Sequence, residues 1–234
     1  MIEMKEIYVV IKKEWSNFLV RRAMIRWYLW IIIINSFIII LPRYKMIPVT
    51  NNKALLCLGF MAFSVFLIPN NLSLDLVGGE KYHRTMETFI STSVDIRKAL
   101  FAKTLFIEIL GLVSLVAITI LDNVLLKLIF HITFLDAGFS LRWIIAMYFV
   151  IGAGILTLAL LGSYVAFHVS DLKTGGYIIA IADAILVYLI MNNLKIINEE
   201  YLIITAIGIF CIVGVLSLLS IFRLNKVDVM KKIR

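Results

Sequence analysis

"LSLDLVGGEKYHRTMETFISTSVDIRKALFAK", Leu72 to Lys103, is densely charged in a chain otherwise built mostly from Ile, Leu, Val and Phe. Long apolar runs flank it on both sides. A charged segment between two such runs reads as a loop joining two membrane spans. The composition agrees. The 234-residue chain is 62% hydrophobic and 16% charged, with a mean hydropathy of +1.00. Soluble domains are about 45–50% apolar and about 25% charged. A water-soluble core of this size cannot hide so much apolar surface, so the expected solvent is a bilayer.

Working outward from that stretch, six apolar runs are long enough to be spans: 27–41, 54–77, 99–121, 141–168, 175–191 and 201–222. A bilayer core takes about 20 residues of helix. Lipid offers no water to open backbone groups, so these runs are expected to be helical. The first run is short, stopping before Pro42, and extends back through Arg26 by snorkelling. Of the 23 Lys and Arg residues, 17 fall on the side that holds both termini and the Leu72–Lys103 stretch. The positive-inside rule then puts both termini in the cytoplasm. The net charge of +8 is thereby explained by topology, without invoking nucleic acid. The expected fold class is all-α integral membrane, with six transmembrane helices in a single domain over 1–234.

Residues 1–26 have their own pattern. Met4, Tyr8, Ile11, Trp15 and Phe18 recur at steps of four, three, four and three, one face of a helix. Lys5, Lys12, Lys13, Glu14 and Arg21 are expected to point elsewhere. This reads as an amphipathic helix lying in the interface, with Trp15, Arg21, Arg22 and Arg26 at headgroup level. The alternative is an extended start to the first span. "MIEMKEIYVVIKKEW" has no small-residue cleavage site and does not read as a signal peptide. On the opposite side, residues 122–140 are expected to form a loop whose "LLKLIFHITF" makes a small interfacial or re-entrant helix. Asp122 would cap the outer end of the third span.

Inside the charged stretch, Glu80, Arg84 and Glu87 sit four and three apart, a ladder on one helical face. Met86, Phe89, Ile90 and Val94 form an apolar face beside it. Gly78 and Gly79 are expected to let the chain turn as the second span ends. Ser91, Thr92 and Ser93 break the pattern before the basic cluster Arg97, Lys98 and Lys103. The bland reading is a solvated loop anchoring two spans. An anchor needs only bases, whereas charge pairs beside an apolar face suit docking to another protein.

The run Asp75, Gly79, Glu80, Thr85, Glu87, Phe89, Ile90, Ser91 and Thr92, with Lys103 downstream, resembles the pattern after the second span of ABC-2 type permeases. These are the membrane subunits of type V-fold ABC exporters. Lys81, Arg84 and Ser93 stand where that family usually has Arg, Gly and Pro. The resemblance implies that this segment is a cytoplasmic coupling helix between helices 2 and 3. Glu80, Lys81, Arg84, Thr85, Glu87 and Phe89 would dock it onto an ATP-binding subunit. It also implies a second permease copy or a sibling permease, as a homo- or heterodimer. No GxxxxGK[ST] phosphate loop is present. ATP and Mg would therefore be bound by the partner chain, with no cofactor in this one.

Other residues offer less. Asp183, midway along the fifth run, is a candidate for a substrate path or an interhelical bond, because an intramembrane acid is expensive. Phe63, in the Phe60–Phe63–Phe66 series, would face the same path or pack in the core. Glu108 is expected to snorkel or pair. His168 and Asp171 are two ligand types without a third, so no metal site is expected. Cys57 and Cys211 lie in apolar runs and suggest no disulfide. Gly162 and Ala166 make a small-xxx-small pair for close helix packing. No nucleophile–base cluster suggests an enzyme.

The expected function is the permease subunit of an ATP-driven exporter in a bacterial cytoplasmic membrane, multi-pass with both ends inside. It would move a hydrophobic or amphipathic molecule, such as an antimicrobial peptide, drug or lipid. This matches the antimicrobial-resistance branch of the family by analogy. The competing class is a membrane scaffold or signalling subunit that docks a soluble protein and transports nothing.

Overall fold

The structure, a computed structural model, describes residues 2–40, 65–82, 95–131, 141–169, 171–196 and 199–223. Every regular element among them is helical. In chain order these are α1 (Ile2–Val20), α2 (Arg22–Ile40), α3 (residues 65–82), α4 (Ile96–Phe130), α5 (Leu141–His168), α6 (Leu172–Ile196) and α7 (Glu199–Phe222). Among the described residues, two stretches, Ile96–Ile129 and Tyr148–His168, are long and apolar enough to cross a membrane. The described parts of the apolar runs are all helical.

The bundle is built around α3. Val65, Phe66, Ile68, Leu72, Leu76 and Val77 are all buried, as are the polar Asn70 and Ser73. They pack with Phe18, Tyr28 and Ile32 from α1 and α2, Phe106 to Ile118 from α4, and Val150 to Ala159 from α5. A second apolar cluster joins Val77 to Ile96, Leu100, Leu160, Phe167 and Ile221. Among the described residues, α5 packs most extensively against α7.

Helix α3 is irregular for identifiable reasons. Pro69 has no N–H to give the ladder. Asn71 Nδ2 donates to the Leu67 carbonyl at 2.8 Å, and Ser73 Oγ donates to the Pro69 carbonyl at 2.5 Å. Local side-chain bonds of this kind satisfy carbonyls when a helix is disturbed. Downstream, Leu74–Gly78 form a π-helical turn, closed by the Gly79 N–H on the Leu74 carbonyl. The expected turn at Gly78 and Gly79 does not occur. Gly79 has φ −61° and ψ −42°, and the helix runs on through Gly79–Tyr82. The glycines permit a turn, but packing of the buried π turn keeps the chain helical.

Two other expectations change. Residues 122–130 are no loop, because α4 continues unbroken to Phe130 and ends at His131 in a left-handed conformation (φ 54°). Asp122 is fully buried in mid-helix, where there is no helix end to cap. The start of α4 is also earlier than the apolar run suggested. Asp95 takes extended backbone angles and accepts a hydrogen bond from the Arg97 N–H at 3.1 Å, an N-cap.

Between helices in lipid, close packing does the work that water does elsewhere. A Cβ built on Gly162 of α5 would lie 2.6 Å from Ser73 Oγ and 2.8 Å from its Cβ. On Gly111 of α4 it would lie 2.5 Å from Cγ2 of Ile155. We expect Gly162→Ala to cost about 1–3 kcal/mol by overpacking α3 against α5. Gly208→Ala, with no atom within 4 Å of the new carbon, should be neutral or slightly stabilising. Thermal unfolding of both variants in detergent checks this, and equal midpoints would contradict the packing of α3 on α5.

Candidate functional site

The charged stretch is pinned by Lys103. Its side chain is 2% exposed, although lysine is almost never fully buried unless paired. The ammonium donates to the Leu76 carbonyl, in the π turn of α3, at 2.7 Å. It lies 2.5 Å from Glu80 Oε2 and 3.4 Å from Glu14 Oε1. Three helices therefore meet on one nitrogen: α4 supplies Lys103, α3 supplies Glu80 and the carbonyl, and α1 supplies Glu14.

The charges around this point nearly balance. Glu14 is as buried as Lys103, and its Oε1 makes no hydrogen bond among the described residues. The Lys103 ammonium is its compensating charge. Lys13, half exposed, reaches Glu80 Oε1 at 3.7 Å and offsets the second carboxylate. Farther out, Lys98 pairs with Glu6 at 3.4 Å. Arg21, at the break between α1 and α2, exerts a Coulombic pull on Asp75 of α3.

These contacts set the course of α1. Glu6 meets Lys98 and Glu14 meets Lys103, while Trp15 and Phe18 pack edge-on to Phe106 at 6.1 and 6.3 Å. So α1 advances in the same sense as α4. It is helical, as its periodicity suggests, but its buried face is rotated. Val10, Glu14 and Phe18 point inward, flanked by Ile7 and Ile11, while Tyr8 is 65% and Trp15 44% exposed. At 100° per residue the buried stripe lies roughly 80° round from the Met4–Tyr8–Ile11–Trp15–Phe18 face. The cause is Glu14, which was expected outside. A buried ammonium needs its carboxylate, and apolar periodicity takes no account of that requirement.

Of the residues expected to couple to a partner, Glu80 is committed within the chain to Lys103 and Lys13. Lys81 lies in the last turn of α3. Arg84, Thr85, Glu87 and Phe89 lie outside the described residues, as does Phe63. Arg21, Arg22 and Arg26 are exposed at the α1–α2 junction. Glu108 is partly exposed one turn and a half beyond Lys103.

Asp183 is 1% exposed, and its Oδ1 has no hydrogen-bond partner among the described residues. It lies on the α6 face that also carries Gly175, Gly176 and Ile179. The two glycines approach Leu74 of α3, and Ile179 approaches Gly162. It is thus turned into the bundle rather than to its surroundings. His168 and Asp171 do not converge on a common point. His168 Nδ1 is 2.9 Å from the Tyr164 carbonyl, and its ring lies tilted against Tyr164. Asp171 caps α6, accepting from Lys173 N, Thr174 N and Thr174 Oγ1. The Lys173 N–H, first among these donors, holds the Asp171 carboxyl below its ordinary value.

Lys103 and Glu14 were the residues that sequence reasoning missed. A lysine followed by apolar residues looks like an interfacial anchor. The available signal was Glu14, an acid lying beside the apolar stripe of an amphipathic helix. We expect Lys103→Met to destabilise the protein by about 3–5 kcal/mol, because it strands Glu14 as a buried unpaired charge. Adding Glu14→Gln should restore part of the loss. Thermal unfolding of the two single variants and the double variant measures the coupling, and simple additivity would refute it. No protein-family model, curated protein or solved structure matches the chain.

Proposed function

We propose that this chain is the permease subunit of an ATP-driven exporter of the ABC-2 type, with six spans and both ends in the cytoplasm. ATP is hydrolysed by a separate subunit that docks on residues 83–94. Two permease copies, or this chain and a sibling, enclose a path for a hydrophobic or amphipathic molecule.

One observation carries the mechanical part of the reading. Glu80 and Lys103 stand on either side of residues 83–94, and they are ion-paired to each other. One ion pair therefore ties together the two helices that flank residues 83–94. A load applied to residues 83–94 passes at one end into α3 and at the other into α4. Through Glu14 it also reaches α1. In this scheme Arg84, Thr85, Glu87 and Phe89 meet the partner, and Glu80 holds the base. The motif resemblance supplies the identity of the partner, and the apolar character of the spans supports the class of cargo.

Purification of the tagged protein in mild detergent from its native host tests the reading. A partner with a phosphate-binding loop should accompany it in stoichiometric amount. Arg84→Ala with Glu87→Ala should lower the recovered partner about tenfold, a loss of about 1.4 kcal/mol. Recovery without any ATPase, or with a different soluble protein, would replace the exporter with the scaffold or signalling class.

A further inference from the structure

One exposed stripe on α2 is used by neither the clamp nor the proposed docking segment. Arg22, Arg26, Leu29, Trp30 and Ile33 are all exposed; steps of four, three and four join Arg22, Arg26, Leu29 and Ile33, with Trp30 four beyond Arg26, so all lie along one side of the helix. The order is cationic first, apolar after. On the opposite side Tyr28 and Ile32 are buried against the bundle.

The height of this stripe relative to lipid follows from α4. That helix has 35 residues, about 52 Å of rise, against a hydrocarbon core of about 30 Å. Its outward apolar side chains run from Ile109 to Ile129, an interval of about 30 Å. The remainder carries Arg97, Lys98, Lys103 and Glu108. The lipid boundary thus falls beside Leu110. Tyr28 of α2 donates its hydroxyl to the Leu110 carbonyl at 2.8 Å. Arg21, the residue before α2, acts on Asp75, next to the Leu76 carbonyl that Lys103 holds, while Tyr28 lies farther along at Leu110, so α2 climbs in the same sense as α4. Arg22 and Arg26 then sit at headgroup level, and Leu29, Trp30 and Ile33 sit at acyl level.

We propose that this stripe binds one anionic phospholipid. The guanidinium groups of Arg22 and Arg26 hold its phosphate, and its acyl chain lies along Leu29, Trp30 and Ile33. Arginine suits the role because its planar fork matches two phosphate oxygens. Tryptophan favours the level where headgroup meets chain. Arg22 and Arg26 form no ion pair among the described residues. The occupant is a lipid and not free phosphate, because cation followed by apolar surface is the polarity order of a phospholipid.

The test uses the full chain in mild detergent. Phosphatidylglycerol should raise Tm and remain bound in native mass spectra, whereas phosphatidylcholine of the same chains and inorganic phosphate should do neither. In Arg22→Gln/Arg26→Gln, retention of phosphatidylglycerol should fall about tenfold or more, as expected for losing two charge-assisted contacts. The charge-matched variant Lys12→Gln/Lys173→Gln should keep it. Equal effects of the two lipids, an effect of phosphate alone, or equal losses in both variants would overturn the proposal. It needs only a bilayer beside α2, so its failure is separate from that of the exporter reading.

Discussion

An ammonium group taken out of water needs carboxylates and carbonyls around it, and Lys103 draws these from two other helices. Desolvating a lysine costs several kcal/mol, so the attraction must be close and well oriented to offset it. The π turn of α3 serves that purpose, since the Leu76 carbonyl within it accepts from Lys103. Short π-helical insertions often mark such special positions. The same nitrogen fixes the face of α1 that turns inward and the place where α1 crosses α4. Replacing Lys103 together with its carboxylate partners by hydrocarbon would relieve the desolvation but leave nothing to choose among several packings of greasy helices. Specificity of register is one known use of a buried ion pair.

Around this pin the apolar helices assemble by close contact. Helix α3 is enclosed on nearly all sides, and small residues on its neighbours let it in: Gly162 against Ser73, and Gly175 and Gly176 against Leu74. Its polar residues are satisfied locally, as Ser73 and Asn71 bond back to the preceding turn. That arrangement matters in a segment that carries a proline and is packed by helices instead of water. Outside the core, long rows of Ile, Leu and Val on α4, α6 and α7 remain open, as expected for surfaces that meet lipid.

Much of this was legible from the residues. The helical class and the limits of α5 follow from uninterrupted apolar runs, and α1 follows from its periodicity. The errors share a cause. The Gly78–Gly79 turn, the loop at 122–130 and the outward position of Glu14 were each inferred from local residue type. In each case a tertiary contact decided otherwise. A buried π turn kept the glycines helical, and a buried Asp122 lies within a helix that would have been cut there. A lysine some ninety residues away in sequence drew Glu14 inside. The residues of the charged stretch proposed to meet a partner rest on family resemblance alone, because charge ladders look alike whether they face solvent or protein.

The clamp has graded exposure, with consequences for its response to ions. Glu14 and Lys103 are sealed at 2% exposure each, whereas Lys13–Glu80 and Lys98–Glu6 are open to solvent on at least one side. Dissolved salt screens charges it can approach and leaves sealed ones almost untouched. Raising ionic strength therefore loosens the rim of α1 before its centre. The helix keeps its anchor and gains freedom to swing about it, so salt acts on this element as a change of stiffness and not of attachment.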